Sequence, residues 1–478
     1  PISSIPSNYG IGCFSKEAYA FVDQLAEAGQ KFWQILPLGP TGYGDSPYQS
    51  FSTYAGNPYF IDLETLIEEG LLTKEECDSV DFGSNPAYVD YEKIYMGRFE
   101  LLEKAFHRFV PDQAYETFVE KNKKWLEDYS LYMAIKNSLG GIAWSEWEAP
   151  LKTRQEAALE EKRVELKEQM DFICFQQYEF AKQWEKLKQY ANEKDIQIIG
   201  DIPIYVAFDS ADAWANPELF QFDENSTPLA VAGCPPDAFA ATGQLWGNPL
   251  YRWDYHAQTG YVWWISRLRH CFTLYDVVRV DHFRGFDEYY AIPYGDKTAE
   301  NGVWKKGPGI DLFHTVKKEL GDVNIIAEDL GYLTESVMKL VEDTGYPGMK
   351  VLQFAFDSRE ESNYLHNCVV YTGTHDNNTV RGWLDDMCEE DNALAEDYMN
   401  NADTPKDERP WEFIRLALGS VADLAVIPLQ DYLCLGTEAR INLPSTLGNN
   451  WKWRLVPGQV TDEMLEKMCH LNKLFGRL

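Results

Sequence analysis

Short runs of apolar, often β-branched residues recur along the chain, and each ends in a polar cluster. They are Phe32–Leu36, Ile196–Ile199, Val277–Val280, Asn324–Ala327, Met349–Phe356, Val369–Tyr371 and Leu424–Ile427. Continuous apolar runs of this length predict strands buried on both faces. Helical patterns lie between several of them, as in Leu312–Leu320 and Glu335–Thr344. The second opens on Thr334, a good N-cap, and stops at Gly345. Strand and helix in alternation predict a parallel sheet. The number and spacing of the units favour a closed (β/α)8 TIM barrel over an open sheet. The expected fold class is therefore α/β, with residues 1–478 forming one barrel domain.

Two stretches depart from that rhythm. From about 64 to 190 the chain is rich in Glu, Lys, Leu and Trp, with helical periodicity and long charged faces such as Thr153–Met170. This predicts a mainly helical insertion. From about 208 to 262 it is rich in Pro, Gly, Asp and Trp, which predicts long irregular loops of the kind that form lids and binding surfaces. There is no internal repeat and no low-complexity tract.

Composition narrows the partners. The formal net charge is −33. Such a chain lacks the basic surface that displaces counterions from nucleic acid, and an anionic membrane surface would repel it. A neutral ligand such as a sugar is compatible, although acidic surface also serves solubility alone. The 9 cysteines are odd in number and form no C-x-x-C pair, which predicts free thiols, a reducing compartment and hence the cytoplasm. No signal peptide is read at Pro1-Ile2-Ser3-Ser4, and no apolar run has the length of a membrane span. Aromatic residues make up 14%, which suits sugar clefts as well as cores.

The polar clusters that end the apolar runs carry carboxylates. They read Gly200-Asp201-Ile202-Pro203, Arg279-Val280-Asp281-His282-Phe283-Arg284-Gly285, Ala327-Glu328-Asp329-Leu330-Gly331 and Thr374-His375-Asp376-Asn377-Asn378-Thr379. In a β/α barrel all strand carboxyl ends open on one face, so these acids would converge in one cleft. A single acid in such a place is usually a loop or cap residue; several together are not explained that way. Paired carboxylates acting on an uncharged bond point to glycoside chemistry, with one group ionised as nucleophile and the other protonated as acid. Arg279 and Asp281 lie two apart on a strand and share a face. The guanidinium would favour the charged carboxylate, although the pair also fits a structural ion bridge. Glu328 closes a strongly apolar strand, where desolvation would raise its pKa.

R-V-D-H-F-R-G, A-E-D-L-G and T-H-D-N-N-T, in this order, resemble the catalytic strand ends of the alpha-amylase superfamily. Four further segments resemble amylomaltases, the 4-alpha-glucanotransferases of that superfamily: Leu36-Pro37-Leu38-Gly39-Pro40-Thr41-Gly42-Tyr43-Gly44-Asp45-Ser46-Pro47-Tyr48, Gly200–Tyr205, Thr242–Pro249 and Ala439-Arg440-Ile441-Asn442. The likeness runs over essentially the whole chain. It implies that Asp281 is the nucleophile, Glu328 the general acid/base, and Asp376 the group that grips the sugar at the cleavage point. It implies that Arg279 holds Asp281 and that His375 binds a sugar hydroxyl. Asp201, Gln244, Trp246, Asn442, Ser46 and Tyr48 would line the sugar subsites. The implied substrates are maltooligosaccharides and alpha-1,4-glucans. Family members need no metal or organic cofactor, and the sequence holds no H-E-x-x-H or EF-hand loop. Some relatives carry a large aromatic and an acid where Ala238 and Ala241 stand here, and often a glycine in place of Ser445.

Two other readings use the same residues. A plain alpha-glucan hydrolase would share the catalytic acids and differ in water access on the acceptor side. An inert glycan-binding protein would have lost an acid at one strand end, and here Asp281, Glu328 and Asp376 are all present.

Overall fold

A computed structural model describes residues 1–42, 44–236, 240–331, 333–356, 367–399 and 403–478. In chain order its strands are β1 (Phe32–Gln34), β2 (Gln197–Pro203), β3 (Ala230–Cys234), β4 (Gln244–Pro249), β5 (Val277–Asp281), β6 (Glu288–Pro293), β7 (Val303–Lys306), β8 (Ile325–Ala327), β9 (Gly348–Val351), β10 (Cys368–Tyr371) and β11 (Leu424–Val426).

The predicted apolar runs become two sets of parallel strands, in the orders β1-β2-β5-β8 and β9-β10-β11. The sets meet where the Ala327 N–H donates to the Pro347 carbonyl at 2.9 Å. Ile199, Val277, Ile326, Met349 and Val369 come together in one buried cluster, with half-buried Phe32 and Leu424 packed against it, which gives every strand of both sets a shared interior. Across it the Tyr371 hydroxyl donates to Gln34 Oε1 at 2.9 Å, tying β10 to β1. The result is a (β/α)8 barrel with large insertions, and seven of its strands are ladder-paired among the described residues.

The barrel helices follow their caps. Glu335–Thr344 begins where the Thr334 side chain accepts from the Val337 N–H and ends at Gly345. Gly345 has φ 71°, a left-handed stop that glycine adopts without steric cost. The other predicted helix starts two residues earlier than the pattern indicated, at Ile310.

Two expectations need correction. The run Met349–Phe356 is not one strand: β9 ends at Val351 and Leu352–Ala355 is a helical turn. That turn brings Gln353 to the Asn378 carbonyl, at 2.9 Å, so an apolar run leaves the sheet to support a loop. The charged stretch Thr153–Met170 is mainly helical, as its periodicity predicts, in two helices, Glu156–Glu165 and Lys167–Glu193, that meet at buried Leu166. The Pro- and Gly-rich stretch from about 208 to 262 is not irregular throughout. It contributes β3 and β4 to an antiparallel sheet of order β4-β3-β6-β7. β3 pairs with β4 inside the stretch, but its other partner, β6, lies outside it, as does β7.

Between β1 and β2 the chain is helical, from Leu63–Glu68 to the long helices Gln113–Ser138 and Lys167–Glu193. The last is docked on the barrel by Trp184, whose indole N–H donates to the Leu274 carbonyl at 3.1 Å. No helix of the described residues is long and apolar enough to cross a membrane.

Candidate active site

Asp201 and Arg279 are register partners on neighbouring strands β2 and β5. Arg279 Nη1 donates to both Asp201 oxygens at 2.7 Å, and Nη2 donates to Asp281 Oδ1 at 2.9 Å. One guanidinium therefore spans two carboxylates with different surroundings: the Asp201 side chain is 0% exposed and that of Asp281 is 32% exposed. Burial works against the charge on Arg279, but Asp201 and Asp281 together outweigh it and keep it protonated well beyond the ordinary range. Nε points to Met349 Sδ at 3.3 Å, and the Tyr48 hydroxyl donates to Asp201 at 2.7 Å. Arg279→Met would leave the fully buried Asp201 carboxylate without its cationic partner. We expect a loss of about 3–5 kcal/mol of stability, as for other broken buried pairs, read as a lowered denaturant midpoint.

Glu328 directly follows β8. Its backbone N–H donates to the Val280 carbonyl at 3.1 Å and its carbonyl accepts from the Phe283 N–H at 3.0 Å. Its carboxylate accepts from the His282 N–H at 2.7 Å and from the Leu330 N–H at 2.8 Å. Burial, aided by the charge of Asp281, pushes the group up, while Arg279 and the two N–H donors pull it down. Burial wins, and the pKa stands at about 7. A carboxyl group that is protonated near neutrality thus lies close to the Arg279-held carboxylate of Asp281, the pairing that acid-assisted displacement needs.

The loop after β10 supplies the next groups. Its two ends are fixed by buried Asp431, which accepts from the Thr372 hydroxyl at 2.6 Å and from the Val380 N–H at 2.8 Å. Asn377 closes the turn by accepting from the N–H and hydroxyl of Thr374, both at 2.9 Å. Asp376 projects outward, its side chain 48% exposed, with His375 Nε2 at 3.4 Å from Oδ1. Oδ1 also accepts from Asn442 Nδ2 at 2.7 Å. The Asp376 carbonyl accepts from Arg440 at 2.6 Å. His375 stacks on Tyr48, with ring centroids 4.9 Å apart and planes at 19°. Ser46 joins the group only through its hydroxyl, which accepts from the Tyr48 N–H at 3.3 Å.

On the other flank Gln244 and Trp246 lie on β4. The indole N–H of Trp246 donates to Gln244 Oε1 at 3.0 Å, and its ring meets that of His282 at 4.8 Å and 88°. The candidates read from the sequence thus form one network, from Ser46 and Tyr48 through Asp201, Arg279 and Asp281 to Glu328, Trp246 and Gln244. Asp376, His375 and Asn442 join it at Tyr48. Ala238 lies outside the described residues, and Ala241 is exposed. Ser445 has φ 63°, left-handed backbone that explains why glycine suits this position. Met349, Tyr371, Asp431 and Arg440 were not singled out as site residues. The first two sit in apolar strand runs, where nothing in the pattern sets them apart from core. Among the described residues no group of three or more His, Cys, Asp or Glu is placed to hold a metal ion.

A family described as 4-alpha-glucanotransferase (glycoside hydrolase family 77) matches residues 1–459. The chain belongs to the 4-alpha-glucanotransferase family. It is 49% identical to the 4-alpha-glucanotransferase of Clostridium butyricum, over 100% of this chain and 99% of that one. It is 51% identical to that of Streptococcus pneumoniae, over 100% and 96%. Its structure is similar to that of amylomaltase from Streptococcus agalactiae in complex with acarbose, with a TM-score of 0.96 and 42% identity over 100% of this chain and 98% of the other. The 4-alpha-glucanotransferase match takes in every candidate residue, from Ser46 to Asn442.

Proposed function

We propose that this member of the family transfers alpha-1,4-glucan segments from a donor maltooligosaccharide to the 4-hydroxyl of an acceptor glucose or glucan, by double displacement at Asp281. The observation that carries the reading is the pairing of Arg279-bound Asp281 with a Glu328 carboxyl raised to about 7. In the first step Glu328 protonates the leaving glycosidic oxygen while Asp281 attacks the anomeric carbon, and the leaving chain departs. In the second, Glu328 takes the proton of an acceptor hydroxyl, whose oxygen displaces Asp281. Two inversions retain the alpha configuration. Asp376, fixed by Asn442 and flanked by His375, grips the hydroxyls of the sugar being cleaved. Tyr48 gives that sugar an aromatic wall. Gln244 and Trp246 receive the acceptor side, with Ser46 supporting the turn at Tyr48. The reaction as written uses no cofactor. The partners are neutral glucans, which the charge of −33 does not repel.

Hydrolysis by the same residues is the competing outcome, and the two differ in a countable product. Transfer breaks one alpha-1,4 bond and makes another, so reducing ends stay constant. Hydrolysis adds one per event. A sugar acceptor outcompetes concentrated water only when bound and oriented, which supplies a large effective concentration. Maltotriose should therefore give glucose and longer maltooligosaccharides with almost no rise in total reducing ends. Reducing ends that climb in step with maltotriose consumption would make the enzyme a hydrolase.

A further inference from the structure

His282 takes no part in the steps above, yet it touches both halves of the machinery. It follows Asp281 with φ 55° and ψ 48°, a left-handed conformation that is uncommon for a residue with a side chain and strongly disfavoured for a β-branched one. This turn aims its N–H at Glu328 Oε2, 2.7 Å away. Its ring packs edge-to-face on Trp246 at 4.8 Å and lies 6.4 Å from the ring of Tyr205. Nε2 is buried and has no hydrogen-bond partner among the described residues. A buried nitrogen left in that state is costly, and the ring is held instead by its perpendicular contact with the Trp246 indole. The Trp246 indole is thereby fixed twice, by Gln244 at its nitrogen and by His282 at its ring. Burial also holds the imidazole down at about 4 against the charge of Asp281, so the wedge between these groups is a neutral one.

We propose that His282 is a positioning residue with two functions: its backbone N–H holds the acid/base, and its ring holds the acceptor platform, so that it sets the ratio of transfer to hydrolysis. The inference rests on the assignment of Glu328 as acid/base and of Trp246 to the acceptor side. If Trp246 is free to turn, an acceptor sugar loses its seat while water loses nothing. If the N–H moves away, the ionised form of Glu328 loses a donor and its pKa rises.

Two substitutions separate the functions. His282→Gly keeps the left-handed backbone and removes the ring. The transfer-to-hydrolysis ratio on maltotriose should fall up to about tenfold, the equivalent of one lost aromatic contact, with a higher KM for glucose as acceptor. The basic limb of its kcat/KM profile should stay in place. His282→Val disfavours the left-handed turn, and its basic limb should move up by about one pH unit. The position of that limb does not depend on how much of the variant folds. His282→Phe restores a ring against Trp246 and should recover part of the ratio, less the strain of a bulky side chain in the left-handed region. A wild-type ratio in His282→Gly, or an unmoved limb in His282→Val, overturns the proposal. Asp281→Asn and Glu328→Gln, assayed alongside, keep the two levels apart. If they retain turnover, the assignment beneath the inference fails. If they lose it while the His282 variants behave as wild type, only the inference fails.

Discussion

Asp281→Asn should lower turnover on maltooligosaccharides by up to the order of 10⁶-fold, as loss of a covalent nucleophile does elsewhere, while glucan binding changes little. The substitution keeps size and removes the charge that forms the bond to the anomeric carbon. It keeps an oxygen to accept from Arg279 Nη2, now 2.9 Å from Asp281 Oδ1. The buried half of the network, Arg279 with Asp201 and Tyr48, is untouched. Folding and the sugar-binding surfaces around Asp376 and Tyr48 should therefore persist, and the loss should appear in kcat. The same residue should carry a glucosyl adduct, found by mass spectrometry of a trapped intermediate of the active enzyme. Near-normal turnover in Asp281→Asn, or an adduct on another residue, would remove Asp281 from the mechanism.

How far such a site can be read from sequence depends on what each residue's neighbours in the chain reveal. The barrel strands were legible because burial on both faces leaves unbroken apolar runs, as in Ile198-Ile199 and Val277-Val278. The acids were legible because each stands where such a run stops, and strand ends share one rim. Arg279 and Asp281 were legible as a pair because strand periodicity puts i and i+2 on one face. That Arg279 also binds Asp201 was not, since β2 and β5 are separated by more than seventy residues and their register is a tertiary fact. The antiparallel sheet was missed for a related reason. β3 is Ala230–Cys234, a small-residue strand without strong alternation, and it is specified by pairing with β6 rather than by its own pattern. Leu352–Ala355 was misread because an apolar run is the same signal whether it continues a sheet or packs as a turn against a loop. Asp431 gave no signal: it lies in a short helix, Leu429–Tyr432, and becomes important only because Thr372 and Val380 both reach it.

Glu328→Gln should divide the two chemical steps. With natural donors the leaving oxygen needs a proton, and loss of a general acid typically costs about 10²–10⁴-fold. With an alpha-glucosyl fluoride donor the leaving group needs little such help, so Asp281 should still be glycosylated. The second step needs Glu328 as base, so the intermediate should accumulate and be visible by mass spectrometry. A folded, sugar-binding Glu328→Gln protein that forms no intermediate from the fluoride would assign the acid to another residue. The pH dependence follows from the same group. Glu328 must be protonated in the free enzyme to serve as acid, so kcat/KM on natural donors should fall as pH rises through about 7. In Glu328→Gln with the fluoride donor, that basic limb should vanish from the glycosylation step. Stability should carry the matching sign. The folded-state pKa of Glu328 stands at about 7 and is raised above that of an unfolded chain. The folded form therefore holds its proton longer, and this contribution is lost as pH rises through 7. Glu328→Gln cannot ionise, so its melting temperature relative to wild type should rise between pH 5 and pH 8. A difference between the two proteins that stays flat over that range would mean that Glu328 does not titrate there, and would sever the link between its burial and its role as the acid.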